Sequence, residues 1–224
     1  MNAAGHSHAS IADAFLPSPW SLDRYHYYYA RTKLATDPLY PAVLTALRGC
    51  DAPLLDLGCG IGLLAHALRA DGQSMRYSGV DFDPRKIVAA NAAAARAQLA
   101  DVTFAPCDLL HERPTHHGSV ALLDVLQYFP GDVQERVLGD AIGMLGPGAK
   151  LVIRSGLQDA DARSRITRVA DRTANAIGWM RTAPVRYPTR DWFERMLAAA
   201  GLAADIRPLH GRTPFNNWLI VATR

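Results

Sequence analysis

The sequence predicts an α/β fold: a doubly wound, mostly parallel sheet of seven strands, with helices on both faces and an antiparallel hairpin at the carboxyl end. From Pro53 onward, short apolar runs typical of buried strands alternate with stretches of helical periodicity. A glycine-rich turn follows the first of these runs, and no helix separates the last two. Repeated strand–helix–strand units favour parallel strands in one sheet, covered by helices on both faces.

The predicted strands are short and largely apolar, as expected for strands that are buried on both faces of a sheet. They span residues 54–57, 77–81, 102–104, 119–124, 150–154, 203–208 and 217–223. Because nothing but a turn separates the last two, they are expected to pair as the antiparallel hairpin.

Helical periodicity and capping residues define the predicted helices. Asp83 is expected to cap the amino end of one helix, with Pro84 at its first position, where the missing N–H costs nothing. Asp132 is expected to cap another, which ends at Gly146. The other predicted bounds are 41–47, 63–70, 84–100, 157–187 and 189–200.

The chain length favours one domain with a cover rather than two independent domains. The 224 residues fit the usual range of roughly 100–200 residues per domain, with a small excess. Residues 1–50 are expected to be an amino-terminal arm and helical lid, of which 1–20 form a flexible arm. Residues 51–224 are expected to form the main domain, with the arginine-rich stretch 157–187 as a helical lid insertion.

Composition excludes several classes of protein. Hydrophobic residues make up 49% of the chain, which argues against disorder, and the net charge of +3 is too small for a dedicated polyanion binder. Three cysteines without CxxC spacing argue against a disulfide framework or a zinc site and favour the cytoplasm. No apolar run reaches the roughly 18 residues of a membrane span, and the amino terminus lacks the pattern of a signal peptide.

The informative motif is the run Asp56-Leu57-Gly58-Cys59-Gly60-Ile61-Gly62, which follows the first strand and opens a helix. Glycine lets a backbone turn sharply and approach a ligand closely, and the helix start offers unpaired N–H groups. The GxGxG spacing differs from the GxGxxG of the dinucleotide fingerprint, which disfavours an NAD site. Asp81, at the end of the second strand, is placed to accept both hydroxyls of a ribose.

Four segments in order resemble class I methyltransferases that use S-adenosylmethionine (SAM): DLGCGIG, GVDFD around Asp81, APCDLL around Asp108, and LLDVLQYF from Leu122. The resemblance covers residues 53–154 and, more loosely, the whole chain, and it implies a Rossmann-like methyltransferase fold. It implies SAM as cofactor and S-adenosylhomocysteine (SAH) as product. The implied cofactor-binding residues are Asp56, Gly58, Cys59, Gly60, Asp81, Phe82, Asp108, Leu109 and Asp124.

Some of these residues have simpler interpretations. Asp81 could merely cap the turn before Asp83, and Asp108 could be an ordinary loop acid. Asp124 could cap a turn with its side chain, with only its backbone touching cofactor. Cys59 is expected to be a small side chain that is tolerated among glycines.

Ligands of open α/β sheets bind beyond the carboxyl ends of the strands, which places the acceptor side of the predicted site. The expected pocket is aromatic with a few cations, which suits a flat or conjugated acceptor. The predicted substrate-binding residues are Tyr25, Tyr28, Tyr128, Arg154, Arg212 and Asn216.

His210 is the first candidate for a general base, because an imidazole titrates near neutrality, and His26 is the second. Tyr128 is a further catalytic candidate. Each histidine could equally be a solvated loop residue. The histidine pairs 6/8 and 116/117 lack ligands at metal-binding spacing, so no metal is expected.

A run of tyrosines in the predicted lid repeats with helical spacing. Tyr25, Tyr28 and Tyr29 fall on one helical face, which predicts a core stripe, a lid over the cofactor, or both. Arg31 is a candidate partner for the methionine carboxylate of SAM.

Segments DRYHYYYARTKLATDPLY, LLDVLQYFP and RPLHGRTPFNNW resemble the small methyltransferases of aryl-polyene or xanthomonadin-type pigment clusters. This resemblance implies O- or C-methylation of a hydroxyaryl acceptor in secondary metabolism, with the acceptor free or held by an acyl carrier protein. The alternatives are an RNA or protein methyltransferase, which the absence of prolines after Asp124 disfavours, and a non-catalytic SAM-binding subunit. The sequence leaves open whether the protein is a monomer or a homodimer.

Overall fold

The computed structural model describes residues 8–18, 20, 24–158, 184–210 and 216–224. These residues fall into two compact units, residues 1–108 (the N-terminal unit) and residues 109–224 (the C-terminal unit). Most of the predicted lid 157–187 lies outside the described residues, as does Arg212. No described helix is both long enough and apolar enough to cross a membrane.

The strands form one seven-stranded sheet, as the sequence predicts. The strands are β1 Leu54–Leu57, β2 Tyr77–Asp81, β3 Val102–Pro106, β4 Ser119–Leu123, β5 Lys150–Gly156, β6 Ala203–Pro208 and β7 Asn217–Thr223. The order across the sheet is β3-β2-β1-β4-β5-β7-β6. Strand β2 runs parallel to β1 and β3, and β4 runs parallel to β5, whereas β7 runs antiparallel to both β5 and β6.

In the N-terminal unit, β1 to β3 pair in register, with Leu54 beside Tyr77 and Tyr77 beside Val102. All four residues of β1 are buried, which fits its three leucines, and the remaining residue, Asp56, is a buried carboxylic acid. The helices of this unit are α1 His8–Asp13, α2 Tyr25–Thr36, α3 Leu39–Leu47, α4 Leu63–Ala70 and α5 Pro84–Arg96.

The cap predicted for α5 is confirmed, because the Asp83 side chain accepts a hydrogen bond from the Arg85 N–H and Pro84 is the first helical residue. The helix is shorter than predicted. It ends at Arg96 instead of residue 100, and Gln98 and Asp101 have positive φ angles that an α-helix cannot accommodate.

The flexible arm predicted for residues 1–20 is wrong for its described part. Residues 8–13 form α1, which packs against α2 and α4, and Ile11 and Phe15 are buried. The Phe15 ring lies 4.9 Å from the His66 ring of α4. Tertiary packing of a few apolar side chains orders this segment, although its local sequence is small and polar.

In the C-terminal unit, a short 3-10 helix at Leu126–Tyr128 precedes α6 (Gly131–Gly143), and α7 (Arg190–Ala199) precedes β6. Pro130 occupies the N-cap position of α6, so the cap predicted at Asp132 is wrong; Asp132 lies in the first turn, where a carboxylate still favours the helix dipole. Thr189 caps α7 by accepting from the Trp192 N–H. The described residues of 157–187 are not helical, contrary to the prediction.

Gly62 precedes α4 with a φ of +78°, and a Cβ added there would lie 2.5 Å from Cζ of Phe104. Gly72 has a similar φ of +79°, yet a Cβ there would meet nothing within 4 Å. Alanine at either position would be strained by the left-handed backbone. Only at Gly62 would its Cβ also clash with the Phe104 ring.

We expect Gly62→Ala to lower the free energy of unfolding by about 1–3 kcal/mol more than Gly72→Ala, because overpacking adds to backbone strain. Urea unfolding of both variants measures the difference. Phe104→Ala should cost less stability in the Gly62→Ala background than in the wild-type chain, as expected for two side chains in contact. Equal losses at the two glycines would show that Phe104 does not restrict this loop.

Candidate functional site

Residues 58–62, the glycine loop, join β1 to α4. The N–H groups of Gly58 and Cys59 both donate to the carbonyl oxygen of Val80, at 2.8 and 2.9 Å, so the loop is anchored to β2. Gly60 has a φ of +58°, and a Cβ added there would meet no atom within 4 Å. The structure therefore leaves open space beside Gly60 that a ligand can fill.

Asp81 ends β2 and is almost completely buried. Its Oδ2 accepts the Gly60 N–H at 3.0 Å, and its Oδ1 accepts the Asp83 N–H at 2.9 Å. Lys86 Nζ lies 3.6 Å from Oδ2. Each carboxylate oxygen can accept more than one hydrogen bond, so the fixed carboxylate retains capacity for two hydroxyl donors. Asp81 thus caps the turn before Asp83, and its expected contact with a ribose stays a prediction.

A second buried carboxylate lies under the loop. Asp56 is 2% exposed, and its Oδ2 accepts the Tyr77 hydroxyl at 2.6 Å. Its Oδ1 is buried and has no hydrogen-bond partner among the described residues. Burial raises the pKa of Asp56 to about 7; the Tyr77 hydrogen bond opposes this shift and the charge of Asp81 adds to it.

Phe104 of β3 supports the loop from below. A Cβ at Gly79 would lie 2.8 Å from Cδ1 of Phe104 and 2.9 Å from Sγ of Cys59, so these side chains pack over a bare backbone. Burial, with the nearby charges of Asp56 and Asp81, raises the pKa of the Cys59 thiol well above its usual range. Cys59 is therefore a packing residue without nucleophilic character.

The residues that follow β2 and β3 provide the other predicted cofactor contacts of the N-terminal unit. The Phe82 ring is 60% exposed, beside the buried Asp81, and Lys86 Nζ lies 5.6 Å from its centroid. The Cys107 N–H donates to the Asp81 carbonyl at 3.1 Å, which brings Asp108 close to Asp81 along the backbone. Leu109, at the start of the C-terminal unit, is buried.

The tyrosines of α2 do not form a core stripe. Tyr25 and Tyr28 are 53% and 54% exposed, and α2 buries Ala30 and Leu34 instead. His26 lies on the same helix, with its ring 5.5 Å from the Tyr25 ring. The exposed tyrosine face is compatible with the predicted lid but not with the predicted core.

Arg31 contacts a neighbour on its own helix. Its Nη1 donates to the Tyr27 hydroxyl at 3.2 Å, and the side chain is exposed. A tyrosine hydroxyl leaves the arginine charge uncompensated. The expected contact of Arg31 with the methionine carboxylate stays a prediction.

In the C-terminal unit, the structure joins two predicted site residues that the sequence did not pair. Arg154 of β5 holds the Asp124 carboxylate with two hydrogen bonds, one from Nε at 2.6 Å and one from Nη2. The Asp124 N–H also donates to the Arg154 carbonyl, and Asp124 has a φ of +60°. Arg154 is buried and its charge is balanced, so it positions Asp124 and does not offer an exposed cation to an acceptor.

Residues 184–189 are held against the loop that follows β4. The Gln127 carbonyl accepts the Val185 N–H at 2.8 Å, and the buried Gln134 amide donates to the carbonyls of Leu126, Phe129 and Arg186. A Cβ added at Gly156 would lie 2.8 Å from the Tyr187 ring, so the ring occupies the space that a side chain at this position would need. The sequence prediction missed these contacts, although a glutamine on the buried face of a helix is a signal for such a clamp.

His210 follows β6, and its ring lies 6.2 Å from the Trp218 ring in an edge-on arrangement. The Asn216 amide donates to the Leu157 carbonyl and accepts from Trp218 Nε1, so both of its ends are engaged by protein groups. Asn216 thereby ties the end of β5 to the start of β7. Tyr128 is half-buried in the 3-10 helix, and Arg212 lies outside the described residues.

The central segment of the chain matches a known protein family. Residues 55–151 match a family described as a methyltransferase domain. This segment includes the glycine loop, Asp81, Asp108 and Asp124. A search among curated proteins found no match to this sequence.

Solved structures share the fold at low identity. An O-methyltransferase family protein from Burkholderia thailandensis aligns with a TM-score of 0.65 and 23% identity, over 98% of this chain and 63% of that chain. Magnesium protoporphyrin IX methyltransferase from Synechocystis PCC 6803, with bound SAH, gives a TM-score of 0.66 and 14% identity, over 98% and 95%. Mitomycin 7-O-methyltransferase aligns with a TM-score of 0.65 and 20% identity, over 96% of this chain and 60% of that chain.

The fold is the Rossmann-like methyltransferase fold. The chain spans less than two thirds of the length of the first and third of these proteins. The match to a methyltransferase domain over residues 55–151 and the shared fold together support a methyltransferase.

Stability should depend on pH through Asp56, because its pKa in the folded protein lies above that in the unfolded chain. The folded state then binds the extra proton, so this group lowers the free energy of unfolding as the pH rises from about 4 to about 7. Relative to Asp56→Asn, wild type should lose up to about 1.4 kcal/mol per pH unit in this interval. Urea unfolding at pH 5, 6, 7 and 8 measures this difference.

Two variants sharpen that measurement. Tyr77→Phe removes the hydrogen bond that lowers the pKa of Asp56, so the decline in stability should extend to higher pH. Asp71→Asn is the matched control, because hydrogen bonds from Gln73 and Arg48 lower the pKa of Asp71 and its contribution should be constant above pH 5. A pH-independent difference between wild type and Asp56→Asn would contradict the assignment.

Proposed function

We propose that this protein is a SAM-dependent methyltransferase that transfers a methyl group to a small aromatic or conjugated acceptor. The observation that carries the proposal is the fixed Asp81 carboxylate beside the open space at Gly60. A carboxylate with two backbone donors and remaining acceptor capacity is suited to a ribose, and a bare glycine beside it admits the nucleoside.

The residues of the N-terminal unit fit SAM group by group. Asp81 would accept the ribose hydroxyls, and the backbone of Gly58 and Gly60 would lie against the ligand. Phe82 would stack on the adenine face, since its ring is exposed next to the ribose acid. Asp108 would accept the adenine amino group. The buried carboxylate of Asp81, together with the ionised fraction of Asp56, favours a cationic ligand such as SAM.

When bound, SAM supplies an electrophilic methyl group on a sulfonium sulfur. The task of this chain is to align the acceptor atom with that methyl group and to exclude water. The anchored glycine loop serves alignment, because its N–H bonds to Val80 and Asp81 leave it little freedom. The exposed tyrosines of α2 supply an aromatic surface that can cover an apolar ligand.

The proposed acceptor is a hydroxyaryl or aryl-polyene precursor in secondary metabolism, methylated on oxygen or carbon. Aromatic side chains near the carboxyl ends of strands support a flat acceptor, namely Tyr128 after β4 and Tyr187 against Gly156 of β5. Two structural neighbours are O-methyltransferases by name, of mitomycin and of an unspecified substrate. An acyl carrier protein that presents the acceptor, and a cytoplasmic location, belong to the same proposal.

A base is needed where the acceptor carries a proton that it does not lose on its own. His210 is the proposed base, and its ring is held against Trp218. His26 on α2 is the alternative. Tyr128 is proposed to contact the acceptor. Asn216 is proposed to act indirectly, by holding the start of β7 in place.

Asp81→Ala should weaken SAH binding by at least about 100-fold, because it removes the charged acceptor to which both ribose hydroxyls would donate. Isothermal titration calorimetry with SAH measures the affinity. Asp81→Asn keeps the volume and one acceptor for the loop, so it separates ligand contact from loop collapse and should give an intermediate affinity. Asp71→Asn should bind as wild type does. Tight SAH binding by both Asp81 variants would contradict the proposal.

His210→Gln should lower kcat by about 10²–10⁴ if the imidazole removes the acceptor proton, with little change in SAH affinity. The substitution keeps polarity and approximate size. His26→Gln, measured in the same methyl-transfer assay, identifies the base by comparison. If neither variant changes kcat, the acceptor loses its proton without a histidine.

A further inference from the structure

The N-terminal unit contains a cavity of about 610 Å³ that is separate from the glycine loop. Its lining residues come from the α1 segment, from α4 and from the turn that follows α5. Neither the described glycine loop nor Asp81 is among them. The volume lies within the range of roughly 300–1,000 Å³ that small-molecule sites occupy.

A buried imidazole lines this cavity. His66 is 3% exposed, and its Nε2 has no hydrogen-bond partner among the described residues. Burial lowers the pKa of His66 to about 4, so the ring is neutral at neutral pH. Buried polar atoms in proteins are almost always paired, and an unpaired one in a cavity wall indicates a missing partner.

Two arginines also line the cavity, Arg69 and Arg96, and the charge of Asp101 acts on Arg69. Arg69 donates to the carbonyl oxygens of Gln73 and Met75, and Arg96 donates to that of Ala14 at 2.5 Å. Carbonyl oxygens fix a guanidinium without cancelling its charge. Asp13 is the one acidic side chain among the residues that line the cavity, against two arginines. The remaining wall is largely apolar and includes Ile11, Ala14 and Leu99.

We propose that this cavity binds a small amphipathic anion, a carboxylate on an apolar body, at a second site distinct from that of the cofactor. Arg96 is exposed and can offer its guanidinium to the carboxylate, a pairing that guanidinium geometry favours. A ligand oxygen that displaces the wall enough to reach the buried Nε2 of His66 would accept a hydrogen bond from its Nε2–H form. The apolar body lies against Ile11 and Leu99.

Calorimetric titration of the full chain with octanoate tests this site. The control ligand is 1-octanol, which has an alkyl chain of the same length and no charge. Octanoate should bind once per chain and at least about tenfold more tightly than octanol, because the arginines recognise the carboxylate. Saturation with SAH should leave octanoate affinity unchanged. Asp81→Ala, which should lose SAH, should retain octanoate binding.

Two variants locate the binding. Arg96→Gln changes an exposed side chain and should lower octanoate affinity by about tenfold while octanol affinity stays constant. His66→Phe keeps an aromatic ring without the donor and should also weaken octanoate. Arg190→Gln, an exposed arginine of the C-terminal unit, is the matched control. Absence of saturable binding, displacement of octanoate by SAH, or unchanged binding in Arg96→Gln would overturn the proposal.

Discussion

The Asp81 carboxylate, which accepts the backbone N–H groups of Gly60 and Asp83, is the interaction on which the rest of the cofactor side depends. It fixes the glycine loop on one side and the start of α5 on the other. The pairing of β1 with β2 makes this possible, because it brings the ends of the two strands level. A short glycine-rich turn can then reach the acid without strain in a bulky residue.

The same arrangement buries two carboxylates under one loop. Asp81 has backbone donors and Lys86, whereas Asp56 has one tyrosine hydroxyl and an unpaired oxygen. Burial, with a smaller contribution from the charge of Asp81, raises the pKa of Asp56 to about 7, and protonation of Asp56 lessens this electrostatic conflict. A cationic ligand above the loop would relieve it in another way, by compensating the negative charge. If SAM binds as proposed, structural stability and ligand affinity are coupled through the same pair of acids.

Local signals predicted the elements around the cofactor. The bounds of β1, β2 and α4 agree with the sequence prediction, because apolar runs and glycines define them, and the Asp83-Pro84 pair defines the start of α5. The Asp124–Arg154 ion pair could not be predicted, because it depends on the pairing of β4 with β5. Helical spacing grouped the tyrosines of α2 on one face but could not tell whether that face is buried.

Methyl transfer itself tests the central claim most directly. Purified protein and methyl-labelled SAM are added to an extract of the source cells, and the label is followed into small-molecule, protein and RNA fractions, with Asp81→Ala as the reference. The account predicts label in the small-molecule fraction, including any acceptor released from a carrier by mild base, and none with Asp81→Ala. Label confined to RNA or to carrier-free protein, or equal label with both proteins, would contradict it.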